Sequence, residues 1–135
     1  MSIKPFVIDA SVVGVWLLNN RISATSRALR IQGFKNTLYA PTLLHFEFSN
    51  LLCRRARQEG LVDFATPLAE FASWPIQFDD PKNASGEFAG IALEMDLTAY
   101  DASYLELAMR REIPLATMDK RLAKAARKLG IETLI

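Results

Sequence analysis

The fold can be inferred outward from one stretch of the chain, KPFVIDASVVGVWLL at residues 4–18. Its first half, Lys4–Asp9, is a short apolar run that predicts a buried strand. Its second half, Ser11–Leu18, is apolar and long enough to predict a helix that follows the strand directly. Asp9 interrupts the stretch, which is also too short for a membrane span or a signal peptide. A buried strand that passes into a helix indicates an α/β protein.

The rest of the chain repeats this alternation of strands and helices. Further strands are predicted at Thr37–Ala40, Pro75–Phe78, Pro114–Thr117 and Ile131–Leu134. Helices are predicted at Ala24–Gln32 after a Ser23 cap, Pro41–Gln58 before Gly60, Phe64–Ser73, Ser85–Glu94 with Asn83 or Ser85 near its start, Thr98 (as the cap) to Arg111, and Lys120–Leu129 before Gly130. The pattern predicts one domain over residues 1–135, an α/β/α sandwich whose central five-stranded sheet is mostly parallel.

Composition narrows the classes of function. The chain has 135 residues, of which 50% are hydrophobic, enough for a core without disulfides. Cys53 and His45 are the only residues of their types, which excludes a structural zinc site and an internal disulfide and favours a reducing, cytoplasmic setting. The net charge of +1 gives no overall basic field, although acids and bases can still be segregated. Phosphate-binding glycine loops and a GxSxG elbow are absent from the sequence.

Four acids remain as candidates for chemistry. Asp9 ends the first strand and Asp119 follows the strand at Pro114–Thr117, and ligands of parallel sheets bind where strands end. Glu47 and Asp101 lie in the first turns of helices that begin on the same side. Four carboxylates on one rim match the oxygen ligands of a hard divalent cation.

Each of these acids also has a purely structural interpretation. Asp9 and Asp119 can cap the helices that follow them, and Asp101 can complete a capping box begun by Thr98. Glu47 has mostly apolar neighbours, and the nearest arginine, Arg54, comes two turns later, so burial would be costly without a partner. An ion pair or a groove edge would explain Glu47 without a metal.

Basic and apolar groups suggest surfaces that bind other molecules. Two basic clusters could position an RNA backbone or could simply be solvated helix faces: Arg54, Arg55 and Arg57, and Lys120, Arg121, Lys124, Arg127 and Lys128. An apolar group on the first helix is expected to be mostly core, with part of it available to line a groove for a partner helix: Val12, Val13, Trp16, Leu17 and Leu18.

Four motifs in order resemble those of PIN domains, and within that family those of the VapC toxins. They are Phe6-Val7-Ile8-Asp9-Ala10-Ser11, Glu47-Phe48-Ser49-Asn50, Ala99-Tyr100-Asp101-Ala102-Ser103-Tyr104-Leu105 and Ala116-Thr117-Met118-Asp119. Each motif alone is weak, but the ordered set spans essentially the whole chain.

The resemblance implies a ribonuclease with an acidic metal site. The metal ligands and catalytic residues would be Asp9, Glu47, Asp101 and Asp119, supported by the polar residues Ser11, Asn50 and Thr117. The candidate substrate-binding residues Arg54, Lys120 and Arg121 come from the two basic clusters and not from the resemblance. The resemblance further implies Mg²⁺ or Mn²⁺, hydrolysis by water that leaves a 5′-phosphate and a 3′-hydroxyl, homodimers and a cognate antitoxin. Two carboxylates about 4 Å apart repel by roughly 4 kcal/mol at an effective dielectric near 20, and a divalent ion turns that repulsion into coordination.

Three alternatives stay open at this point. The first is a housekeeping PIN nuclease without an antitoxin, and the second a non-catalytic partner-binding domain, which would leave the four acids unexplained. The third is a phosphotransfer receiver or a phosphatase. Asp79 and Asp80 follow the strand at Pro75–Phe78, where a receiver places its phosphate acceptor, but Ala10 and Ser11 follow Asp9 where many such phosphatases have Asp-x-Asp.

Overall fold

A parallel sheet of five strands forms the centre of the protein. The structure is a computed structural model that describes residues 5–18, 22–60 and 63–135. The strands are β1 (Phe6–Ile8), β2 (Leu38–Ala40), β3 (Ile76–Phe78), β4 (Leu115–Ala116) and β5 (Thr133–Leu134), in the order β3-β2-β1-β4-β5. Every neighbouring pair is parallel, with Val7 opposite both Tyr39 and Leu115. This confirms the predicted five-stranded parallel sheet.

Seven helices connect these strands within the described ranges. They are α1 (Ala10–Leu18), α2 (Ala24–Phe34), α3 (Leu43–Glu59), α4 (Ala65–Ser73), α5 (Ser85–Met95), α6 (Ala99–Arg111) and α7 (Lys120–Lys128). Each predicted helix is therefore present, with its ends displaced by at most two residues. The strands are shorter than predicted, and of the first predicted strand Lys4 lies outside the described residues.

Helix ends follow the predicted capping chemistry in most cases. The Ser23 and Thr98 hydroxyls accept hydrogen bonds from Ser26 N and Asp101 N, each at 3.1 Å. Gly60 closes α3 with φ 69°, a left-handed conformation that glycine adopts without a steric penalty. The start of α5 differs, because Ala84 is the residue before the helix and no side chain caps it.

The sheet is covered on both faces, and successive residues of β1 alternate between two cores. Phe6 and Ile8 pack in a cluster with side chains of α1, α2, α3 and α4, while Val7 packs with α6 and α7. The chain therefore has three layers, as predicted, with strands that are apolar on both faces. Each fully buried large side chain contributes about 1.5–3 kcal/mol.

The apolar group on α1 belongs largely to this core. Val12, Val13 and Trp16 are buried, and Leu17 and Leu18 are partly buried against the same cluster. The expectation that most of this group is core is therefore confirmed. No helix of the described ranges combines the length and apolar character needed to cross a membrane.

Candidate active site

A cavity of about 500 Å³ lies where strands β1 and β4 end and helices α3 and α6 begin. All four candidate acids line it: Asp9, Glu47, Asp101 and Asp119. The other polar side chains on its wall are Ser11, Asn50, Arg54 and Tyr104. The parallel sheet explains this convergence, because the carboxyl ends of neighbouring strands and the helices that follow them share one edge.

Asp9 is the most buried of the four acids, with 5% of its surface exposed. Its Oδ1 accepts hydrogen bonds from Ser11 Oγ at 2.6 Å and from Val12 N at 3.2 Å. Its Oδ2 accepts one from Thr117 Oγ1. Asp9 therefore caps α1 and also faces the cavity. Burial raises the pKa of Asp9 above its ordinary value; the bonds from Ser11, Thr117 and Val12 oppose that rise, and the charge of Glu47 adds to it.

The two hydroxyls that hold Asp9 also hold the loop between β4 and α7. Ser11 Oγ accepts a hydrogen bond from Met118 N at 2.8 Å, and Thr117 Oγ1 accepts one from Asp119 N at 3.0 Å. Each hydroxyl thus donates to Asp9 and accepts from the loop that carries Asp119. This network fixes the relative position of the two strand ends that supply these acids.

Asp119 both caps a helix and lines the cavity, the two roles that the sequence left open for it. Its Oδ1 accepts hydrogen bonds from Arg121 N at 2.9 Å and Leu122 N at 3.3 Å, so it is the N-cap of α7. It is also exposed and lines the cavity. Within the described residues no protein group donates to its second oxygen. Capping and a place at the site are therefore compatible.

Asp101 forms only half of the expected capping box. Its backbone N–H donates to Thr98 Oγ1, but among the described residues its carboxylate makes no return bond to the Thr98 backbone. Asp101 instead lines the cavity. The side chain of Asp101 is thus not committed to the helix cap.

Glu47 is a partly buried acid whose hydrogen-bond partner is a tyrosine. Its Oε1 accepts a hydrogen bond of 2.5 Å from Tyr104 Oη on α6. No ion pair to Glu47 occurs in the described part of the chain. Burial raises the pKa of Glu47 above its ordinary value, the Tyr104 bond lowers it, and the charge of Asp101 raises it further.

Sequence reasoning named Arg54 as a candidate substrate-binding residue but did not single out Tyr104 as a site residue. Glu47, Asn50 and Arg54 all line the cavity, because positions i, i+3 and i+7 share one face of a helix. Tyr104 follows Asp101 by three residues on α6 and reaches the cavity for the same reason. Helical spacing from Asp101 would have identified Tyr104 as a site residue.

The other basic candidates lie outside the cavity wall. Arg121 donates from Nη2 to the Asp96 carbonyl at 2.7 Å and lines a separate depression together with Lys124 and Lys128. Lys120 is exposed and does not line the acid cavity. Arg55 pairs with Glu59 at 3.0 Å along α3. Of the three candidate substrate-binding residues, only Arg54 shares the cavity with the acids.

The donor set suits a hard cation, although its members surround the cavity rather than meet at one point. Across the three described ranges, no cluster of three or more His, Cys, Asp or Glu side chains is already arranged to hold a metal ion. Carboxylates brought close together without a cation repel one another. Their oxygens are the atoms that Mg²⁺ and Mn²⁺ prefer, and the cavity provides no sulfur or imidazole that would favour a softer metal.

Asp79 and Asp80, the acids that a receiver would use, bind other residues of the protein. Asp79 Oδ2 pairs with Arg110 Nη1 at 2.9 Å and with Arg111 Nε. Asp80 accepts hydrogen bonds from the backbone N–H of Thr42, at 3.0 Å, and from its hydroxyl. Partial burial, the largest influence, raises the pKa of Asp79, but Arg111 and Arg110 together bring it below its ordinary value. These contacts give both acids structural roles.

Comparison with known proteins identifies the fold and its relatives. A model of the PIN domain matches residues 6–128. The crystal structure of PAE2754 from Pyrobaculum aerophilum is similar, with a TM-score of 0.71 and 27% sequence identity over 96% of this chain and 88% of that one. A search of curated proteins found no match.

Proposed function

The chain belongs to the PIN domain family, whose members are generally nucleases, and from this premise we propose that it is a metal-dependent ribonuclease. It hydrolyses phosphodiester bonds with water and leaves a 5′-phosphate and a 3′-hydroxyl. One observation carries the proposal: four acids from four distant segments line a single cavity. A domain that only binds a partner has no need for this convergence of charge.

The proposed metal ligands are Asp9, Glu47, Asp101 and Asp119, with Mg²⁺ as the ion and Mn²⁺ as a substitute. When bound, the ion neutralises the carboxylates, lowers the pKa of a water molecule and stabilises charge on the phosphodiester. The oxygens of Asp101 and Oδ2 of Asp119 accept no hydrogen bond from the described residues and are therefore available as ligands.

The remaining polar residues have supporting roles in this proposal. Ser11 and Thr117 orient Asp9 through their hydroxyls and oppose the rise in its pKa that burial causes. Arg54 is exposed on the wall of the cavity, where its guanidinium can bind a phosphate oxygen pair of the RNA. Asn50, one turn before it, offers an amide to the same backbone. Lys120 and Arg121 would contact phosphates outside the cavity, along α7.

Metal-dependent cleavage tests the enzymatic proposal. The purified protein should lose RNA cleavage in excess chelator and regain it with Mg²⁺ or Mn²⁺, and Asp9→Asn should abolish it. Glu94→Gln is the matched control, because Glu94 is exposed on α5 and does not line the cavity. Full cleavage after rigorous removal of metal would contradict the mechanism, and metal binding without cleavage of any RNA would favour a non-catalytic domain.

We also propose that the protein is the toxin of a type II toxin–antitoxin pair, acting in the cytoplasm as a homodimer. Large apolar side chains remain exposed beside the candidate acids, Phe46 at 71% and Tyr100 at 62%, and exposed apolar groups are typical of partner surfaces. The antitoxin would cover the cavity and place a basic side chain against the carboxylates.

Growth experiments separate this role from that of a housekeeping nuclease. Expression of the chain alone should arrest growth, and co-expression of the small open reading frame next to its gene should relieve the arrest. Asp9→Asn should be harmless in the same strain. Harmless expression of protein shown to be folded and active would instead support a PIN nuclease without an antitoxin.

A further inference from the structure

Tyr104 connects the apolar core to the acid cavity. Its side chain is 2% exposed and belongs to the core cluster under α6 and α7. Its hydroxyl nevertheless reaches the cavity, where it donates to Glu47 Oε1 at 2.5 Å. The ring is thus held by packing, and only its polar end meets the proposed site.

A tyrosine has a different effect on Glu47 from that of a cationic partner. A lysine or arginine in its place would satisfy the carboxylate but would also cancel the negative charge that attracts a cation. The Tyr104 hydroxyl satisfies one oxygen without adding charge, and in the described part of the chain Glu47 Oε2 accepts no other hydrogen bond. The phenolic hydroxyl of a tyrosine ordinarily keeps its proton at neutral pH and so can serve as a donor.

Tyr104 is also fixed relative to a second acid of the cavity. It follows Asp101 by one helical turn on α6, whereas Glu47 lies on α3. The hydrogen bond is therefore a direct tie between the two helices that carry these acids, and it sets where the Glu47 carboxylate lies on the wall.

We propose that Tyr104 is a positioning residue that orients Glu47 as a ligand for the divalent cation. This inference rests on the proposed function, because it concerns the same metal site. It assigns Tyr104 no contact with RNA and no part in proton transfer. Outer partners of metal ligands commonly change metal affinity by about 10–100-fold when they are removed.

Calorimetric titration of Mn²⁺ into the metal-free full chain tests the inference. Tyr104→Phe keeps the packed ring and removes only the hydroxyl. Tyr39→Phe is the matched control, because Tyr39 lies on β2, does not line the cavity, and its hydroxyl forms no hydrogen bond with the described residues. We expect the Mn²⁺ dissociation constant to rise about tenfold in Tyr104→Phe and to stay unchanged in Tyr39→Phe. Cleavage by Tyr104→Phe should recover at about tenfold higher Mn²⁺, with an unchanged KM for RNA.

The outcomes distinguish the inference from the function on which it rests. An unchanged Mn²⁺ dissociation constant in Tyr104→Phe would overturn the inference, as would a changed KM for RNA at saturating Mn²⁺, while the ribonuclease proposal would stand. A Tyr104→Phe chain that fails to fold would assign the hydroxyl to the fold and overturn it as well. A wild-type chain that binds no Mn²⁺ would contradict both the ribonuclease proposal and the role of Tyr104. A wild-type chain that binds Mn²⁺ but cleaves no RNA would contradict only the proposed ribonuclease activity.

Discussion

Ser11 Oγ accepts a hydrogen bond of 2.8 Å from Met118 N, a residue 107 positions later in the chain. The same hydroxyl donates to Asp9 Oδ1 at 2.6 Å. One side chain thus connects the end of β1 to the loop after β4 and orients a buried carboxylate.

We expect Ser11→Ala to lower both stability and cleavage. The substitution leaves Met118 N without its acceptor and Asp9 without one of its donors, which should cost about 1–2 kcal/mol of unfolding free energy. Denaturant melts in chelator give this number. Ser49→Ala is the control, because the Ser49 hydroxyl is exposed and bonds only within its own helix, to His45 O. Equal stability of the two variants would contradict the bridging role of Ser11.

Substitutions at Asp101 and Thr98 should affect stability and metal binding differently. Thr98→Ala removes the acceptor of Asp101 N and should cost about 0.5–2 kcal/mol. Asp101→Asn keeps the helix start and removes a charge that repels Glu47, so in chelator it should be nearly as stable as wild type. Mn²⁺ binding and cleavage should nevertheless collapse in Asp101→Asn and persist in folded Thr98→Ala. An Asp101→Asn variant that binds Mn²⁺ normally would exclude Asp101 from the site.

Metal binding should stabilise the folded chain through linkage. Mn²⁺ at a hundred times its dissociation constant should raise the free energy of unfolding by about 2.7 kcal/mol, since the unfolded chain has no assembled site. Thermal or denaturant melts with and without Mn²⁺ measure this effect. In Asp9→Asn the increase should disappear. An increase of the same size in that variant would show that Mn²⁺ binds somewhere other than the acid cavity.

Asp79 should make stability depend on pH. Its folded-state pKa is depressed by Arg111 and Arg110, so its contribution is fully present above the unfolded pKa of about 4 and is lost as the pH falls through the folded value. Asp79→Asn should therefore destabilise the protein by about 1 kcal/mol at pH 7, and the difference from wild type should shrink toward pH 3.

Asp96→Asn provides the control for this pH series. Asp96 is fully exposed and closes α5 with φ 54°, a conformation that asparagine also tolerates. Its substitution should leave stability unchanged at both pH values. A difference between wild type and Asp79→Asn that stays constant from pH 7 to pH 3 would contradict the ion-pair explanation.

Much of the fold could be predicted because local signals and the apolar pattern agree. Ser23, Thr98, Gly60 and Gly130 mark helix ends by their own chemistry, and the structure confirms them. The sequence predicts the start of α3 at Pro41, two residues before the helix begins. Thr42 is held there by Asp80 from the end of β3, a contact between distant segments that local propensity does not encode.

The composition of the cavity was predictable only in part, for a related reason. The acids could be placed on one edge from strand order alone, and the structure places all four on one cavity. The partners of those acids depend on which helix faces meet. The hydrogen bond from Tyr104 to Glu47 joins residues 57 positions apart, and the sequence around either residue does not predict that the two are in contact.

The insertion of β4 between β1 and β5 has a consequence for a ribosome that translates this chain. Asp9, Glu47 and Asp101 leave the exit tunnel first, but β1 then has only β2 beside it, and neither hydroxyl bridge to the 117–119 segment can form. Throughout that interval the nascent chain carries its acids without an assembled cavity. Under the proposed function, cleavage therefore requires that the segment through Asp119 has emerged from the ribosome, so the nascent chain stays inactive while its earlier part is exposed.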